Sequence, residues 1–352
     1  MLFLFMAFSV LCLVSAKFAG VKSFHTDYLH KDNTTAVNGI FVGLVFFSHI
    51  SGYLDLADTG ANHWFKVLLN IGQYMVTTFL FYSGYGMICS LKAKGSTYIK
   101  RIPVHRFFKT WSQFAVVIFM YLAINLAIGN HVALKDFLLA LTGYGALGNS
   151  NWYIFIILIL YLVFYVAFTL SKSRIVLGTV IFSLATAALT IWFHFAHFPP
   201  YFYNTMLCFP AGMWYALGKD KIESFIMKNN AVYFASLLIS GIGVVAVRKT
   251  IYHIFGELMY PLSAIFFVLF IVIATMKIRF RNKMLTFLGS HVFEIYALQR
   301  LPMILLENYG FNLTHPYLFF LICAAVTVGL SVLFQKCVKI VLSKKKKTVN
   351  CN

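Results

Sequence analysis

The chain has 352 residues, 61% of them hydrophobic and only 11% charged, against about 25% charged in soluble domains, which excludes a soluble enzyme or binding module. Its formal net charge is +19, but the positive residues gather in the connections between apolar runs. That placement indicates membrane topology rather than a nucleic-acid interface.

Runs of roughly 17 to 25 apolar residues suffice to cross a bilayer. They are placed here at 1–16, 36–54, 66–90, 107–129, 152–170, 174–194, 203–218, 231–248, 254–276, 285–306 and 317–342. The expected fold is all-α, a polytopic transmembrane bundle of ten or eleven helices. It divides into an N-terminal hydrophobic helix and connecting segment (1–35), one membrane domain (36–342) and a basic tail (343–352). Basic residues crowd alternate connections, such as Lys92 to Lys109 and the tail run Lys344 to Lys347, whereas 130–150 holds only Lys135. The positive-inside rule then predicts a cell-membrane protein with a cytoplasmic C-terminus.

In chain order, Met1 to Ala16 reads as a helix. Val14-Ser15-Ala16 resembles a cleavage site, but no basic residue precedes the apolar run as a signal peptide requires. The next run carries His49. An ionisable side chain inside a membrane segment costs a few kcal/mol, so His49 is a candidate functional residue; the competing reading is a neutral imidazole satisfied by a neighbouring helix. Asn38 lies eleven residues earlier, three helical turns and roughly 16 Å away on nearly the same face, so the two are expected to line one cavity.

The third run contains Ser83-Gly84-Tyr85-Gly86, which reads either as a helix break beside a watery site or as small residues for close helix packing. Lys92 to Lys109 is the densest basic stretch. Arg101 and Arg106 within it are topology determinants, or guanidinium groups suited to bidentate phosphate contacts. Trp152, in Asn151-Trp152-Tyr153, reads first as an interfacial anchor. His194 and His197 lack a third ligand, and the six scattered cysteines form no C-x-x-C pair, so no metal site is expected. Of the ten acidic residues only Glu257 and Glu294 fall within spans, where the simplest structural reading pairs one of them with Arg300.

The order of these features resembles the acyltransferase-3 family of integral-membrane O-acyltransferases, over about residues 36 to 340. The resemblance is carried by the helix ending in His49, Phe81-Tyr82-Ser83-Gly84-Tyr85, the basic Arg101 and Arg106 segment, Asn151-Trp152-Tyr153, Phe209 to Gly212, Leu288-Gly289-Ser290 and Ile295-Tyr296-Ala297-Leu298. The sequence departs from the family at Asn38, where a basic residue is usual, and at Gln299, where the closing motif commonly ends in His.

The resemblance implies transfer of an acyl group from acyl-CoA, most often acetyl-CoA, to a hydroxyl of a surface polysaccharide or its lipid-linked precursor, with no bound cofactor. It assigns catalysis to His49 and Glu294, donor binding to Arg101, Arg106 and Asn38, and substrate binding to Ser83, Tyr85, Trp152 and Gln299. The chemistry agrees independently: a sugar hydroxyl attacking a thioester needs a base, and neutral imidazole is suited to the task. The absence of a G-x-S-x-G elbow favours direct transfer over an acyl-enzyme. The alternative is an exporter or flippase of a surface polysaccharide, which would show similar helices and aromatic positions. A glycan polymerase is disfavoured by short connections poor in Arg.

Overall fold

The computed structural model describes residues 1–14, 16–56, 60–69 and 71–349, with side chains as far as Ile340. Ser15 of the cleavage-like tripeptide, the connection 57–59 and the last three residues of the tail lie outside the described residues. The chain begins with α1 (Leu2–Val14), α2 (Lys31–Ser51), α3 (Gly60–Leu69) and α4 (Thr77–Lys94). It continues with α5 (Ser96–Ala127), α6 (Leu134–Thr142), α7 (Trp152–Leu170), α8 (Ile175–Phe195) and α9 (Cys208–Ile226). Then follow α10 (Asn230–Ile254) and α11 (Gly256–Thr275), α12 (Lys283–Ser290), α13 (Val292–Leu298), α14 (Arg300–Glu307) and α15 (Pro316–Val349). The protein is an all-α, multi-pass membrane bundle. Two three-residue strands, Ala16–Phe18 and Ile278–Phe280, pair antiparallel at its periphery.

Seven helices among the described residues, α2, α5, α7, α8, α10, α11 and α15, are long and apolar enough to cross a membrane. The other expected spans are shortened or divided, each for a local reason. Residues 66–90 are interrupted by a 3₁₀ turn at Gly72–Val76, entered by Gly72 at φ +48°, a conformation that favours glycine. Residues 285–306 divide into α12, α13 and α14, with His291 at φ −119°, ψ 25° between the first two. α9 begins five residues later than its expected span and carries Lys219, Asp220, Lys221 and Glu223 in its second half. The basic stretch expected as a loop is helical instead, and α5 runs through it by way of a π turn at Pro103–Phe108. Such a turn absorbs the hydrogen bond that proline cannot donate.

Two glycine seams fix the helix pairs. A Cβ on Gly84 of α4 would fall on the Phe209 carbonyl of α9, and one on Gly212 of α9 would fall on the Phe81 carbonyl of α4. The same exchange joins α2 to α12, with Gly39 against the Leu285 carbonyl and Gly289 against the Thr35 carbonyl. Lipid tails give apolar helices no hydrophobic reason to associate, so close backbone approach is what drives it. α4 is unbroken through Ser83–Gly86, so of the two readings of that cluster the structure supports close packing and not a helix break.

The seams hold two apolar cores. One joins α4, α7, α8, α9 and α11, with Phe164, Phe182 and Phe209 fully buried. The other joins α2, α5, α13, α14 and α15, with Val42, Phe114 and Cys323 at its centre. Trp152, Tyr153 and Tyr82 pack against both. Residues on α10 and α8 such as Ile239 and Leu184 turn outward, as a lipid-facing surface requires.

Candidate active site

His49 occupies the last turn of α2, and a long-range contact defines its surroundings. Its Nδ1 lies 3.3 Å from Ser150 Oγ, at the end of the connection between α6 and α7. That connection is held by side-chain amides. Asn151 Nδ2 donates to the carbonyls of Gly143, Tyr144 and Gly145 at 2.8 to 3.0 Å, and Asn149 Oδ1 accepts from Leu147 N at 2.8 Å. Asn125 of α5 donates to the Leu147 carbonyl at 3.0 Å. Every non-regular backbone group so satisfied is one less reason for the loop to move, and Ser150 is presented to the imidazole as a consequence. In the tautomer in which Nδ1–H donates to Ser150 Oγ, Nε2 carries the lone pair that can accept a substrate proton.

The opposite side of the imidazole is closed by α13 and α14. The Tyr296 ring centroid is 6.1 Å from that of His49, and Gln299 and Arg300 adjoin the imidazole. Gln299 is fully buried. Its Nε2 donates to the Tyr296 carbonyl at 3.1 Å, while its Oε1 has no partner among the described residues. The Arg300 guanidinium lies beside the Tyr53 hydroxyl and near Tyr121, whose own hydroxyl donates to the Ala297 carbonyl at 3.0 Å. Arg300 is half-buried, with its Nε fully enclosed.

A cavity of about 310 Å³ lies on the other face of Tyr296. It is lined by Asn38, Ser83, Arg106, Lys109, Tyr153 and Tyr296, among others. Asn38 Oδ1 is buried and without a partner among the described residues, which leaves an acceptor to offer to a ligand. Arg106 sits beside the hydroxyls of Tyr98 and Tyr161, and Tyr161 also lines the cavity. The Tyr153 and Tyr296 rings meet edge to face at 5.4 Å between centroids. Tyr296 therefore both lines the cavity and packs against His49, but His49 itself is not among the lining residues. The one cavity expected from the spacing of Asn38 and His49 thus holds Asn38 alone, the three turns between them being too long for one pocket.

The remaining sequence candidates lie apart from the cavity and from His49. Arg101 is exposed and does not line the cavity. At about 100° per residue its spacing of five from Arg106 turns the two side chains to different faces. Tyr85 packs toward Tyr215, 6.5 Å away between ring centroids, and toward Cys89. Trp152 lies at the Ser150 end, its ring 6.2 Å from Tyr201.

Glu294 is buried and faces His291, Gln335 and Lys339, turned away from the imidazole. Glu257 accepts from Tyr252 at 2.5 Å and from Asn204 at 3.4 Å. Neither carboxylate pairs with Arg300 among the described residues, which corrects the expected buried ion pair. The physical reason is placement: the two face neighbours on α15 and on the approach to α9, away from the inner side of α14. Arg300 and Ser150 are the site residues that sequence reasoning missed. An intramembrane arginine with no carboxylate one helical turn to either side was the available signal for the first.

Residues 36–336 match the family model described as an acyltransferase domain. No curated protein and no solved structure shows a significant match. The matched region holds the cavity and the surroundings of His49, from Asn38 and His49 at one end of the chain to Gln299 and Arg300 near the other, and the chain accordingly belongs to the acyltransferase-3 family and is a membrane acyltransferase.

Proposed function

We propose that the protein is an O-acyltransferase that moves an acyl group, most simply acetyl, from acyl-CoA to a hydroxyl of a surface glycan or its lipid-linked precursor. The observation that carries this reading is the arrangement around Tyr296: a cavity with Arg106 and Asn38 on one side of it and His49, engaged by Ser150, on the other. The donor enters from the basic end, which the charge pattern assigns to the cytoplasm. Arg106 and Lys109 take its phosphates, and Asn38 pairs with an amide of the pantetheine arm. The acceptor approaches from the Ser150 and Trp152 end, and the thioester meets it beside Tyr296.

In the reaction His49 Nε2 accepts the hydroxyl proton as the sugar oxygen attacks the thioester carbon. The C–S bond then breaks, and the imidazolium returns the proton to the leaving thiolate, giving the ester and free CoA. With Nδ1–H as the donor, Ser150 Oγ accepts from the imidazole and is not activated as a nucleophile, which supports direct transfer. The test is transfer of radiolabelled acetyl from acetyl-CoA to glycan in membranes containing the full chain. Label appearing in base-labile ester on the glycan is the expected result; export of unlabelled glycan with no ester formed contradicts the assignment.

A further inference from the structure

The geometry points to Arg300 as a catalytic residue that stabilises the oxyanion formed when the thioester is attacked beside His49, in place of any positive charge at position 38. The inference rests on the acyl-transfer reading above and adds to it the source of the charge. Four observations carry it. Arg300 lies one turn beyond Tyr296, whose ring centroid is 6.1 Å from that of His49, so that its charge reaches the imidazole, yet among the described residues no carboxylate pairs with it. Glu307, two turns further along α14, faces Tyr53 and makes no ion pair with Arg300. The guanidinium meets the Tyr53 hydroxyl, but the buried Arg300 Nε has no hydrogen-bond partner among the described residues, so one donor of the cation is left to offer to a substrate oxygen. Asn38, three turns from His49 on α2 and on the far side of Tyr296, is both uncharged and too distant to act on the same carbonyl.

An unpaired guanidinium in a low-dielectric interior is costly in the resting protein, and that cost is offset when negative charge develops next to it, the condition under which an electrostatic contribution is specific to the transition state. The step it serves is balanced within the reaction already written. The carbonyl oxygen becomes an oxyanion as the sugar oxygen bonds to carbon, Arg300 donates to that oxygen, and the charge passes to sulfur when the C–S bond breaks. Tyr53 orients the guanidinium and is a positioning residue.

The test uses full-length protein in membranes, with acetyl-CoA as the donor and surface glycan as the acceptor. Arg300→Gln removes the charge while retaining length, and it makes membrane insertion easier rather than harder, so abundance should hold. The expected result is a loss of ~10²–10³-fold in the rate of transfer, the range for removing one oxyanion donor, with acetyl-CoA affinity unchanged. Arg300→Lys should retain part of the activity, and added guanidinium ion should restore some transfer to Arg300→Ala. A wild-type rate in Arg300→Gln would overturn the inference while leaving the acyltransferase assignment intact. The inference fails equally if both Gln and Lys variants lose activity in step with abundance. Absence of any acetyl transfer by the wild-type chain would remove the assignment and the inference together.

Discussion

The seam between α4 and α9 and the surroundings of His49 are both interior, and they are built on opposite terms. At the seam, Gly84 and Gly212 bring each backbone against the other's carbonyl, and the flanking side chains, Phe81 and Phe209, are fully buried. Around His49, the interior holds an imidazole with a long hydroxyl contact, and a carboxamide oxygen and a guanidinium nitrogen without partners among the described residues. Native interiors leave few polar groups unsatisfied. Such atoms also occur elsewhere in the bundle, Thr78 and Tyr82 on α4 among them; what sets this region apart is that those on Tyr296, Gln299 and Arg300 share it with an ionisable imidazole.

Substitution at the two regions should separate activity from stability. The largest effect is expected at His49: His49→Ala should lower acyl transfer by about 10²–10⁴-fold, with membrane abundance and acetyl-CoA binding preserved, as checked by rate, immunoblot and equilibrium binding on one preparation. Gly84→Ala should do the reverse. Its Cβ meets the Phe209 carbonyl, so the helices must separate at a cost of ~1–3 kcal/mol; thermal stability in detergent should fall, and activity only in proportion to folded protein.

The cavity offers a comparison at closer range. Arg106→Gln should weaken acetyl-CoA binding by about 1–3 kcal/mol, the range for hydrogen bonds to charged groups, whereas Arg101→Gln, at an exposed position, should leave it unchanged. Equal losses from both would return the two arginines to a role in topology alone. The smallest effect belongs to Ser150→Ala. It removes one hydrogen bond from Nδ1, worth about 0.5–1.5 kcal/mol, and should slow transfer several-fold without altering donor affinity.

The fold is legible where composition and period carry it. Apolar runs locate α7, α8 and α11 to within two residues and α2, α10 and α15 to within about seven, and His49 stands out because an ionisable side chain in such a run has few innocent explanations. What pattern cannot supply is partnership across the chain. Ser150 is 101 residues from His49, and its approach depends on Asn151 closing a loop over three carbonyls, in a tripeptide that otherwise reads as an interfacial anchor. The glycines of Ser83-Gly84-Tyr85-Gly86 fit a break or a seam equally well until α9 is known to lie against them. Arg300 reads as half of an ion pair because buried charges are usually paired. The structure instead gives Glu257 to Tyr252 and Asn204, and turns Glu294 toward Gln335.

The central claim, that His49 performs acyl transfer rather than supporting packing or export, is tested most directly by two numbers from the same cells: the amount of surface glycan and the acyl groups per repeat. In a well-expressed His49→Ala protein the predicted result is an unchanged amount of glycan with acyl content reduced to background. Unchanged acyl content per repeat, with or without a fall in the amount of glycan, would contradict it.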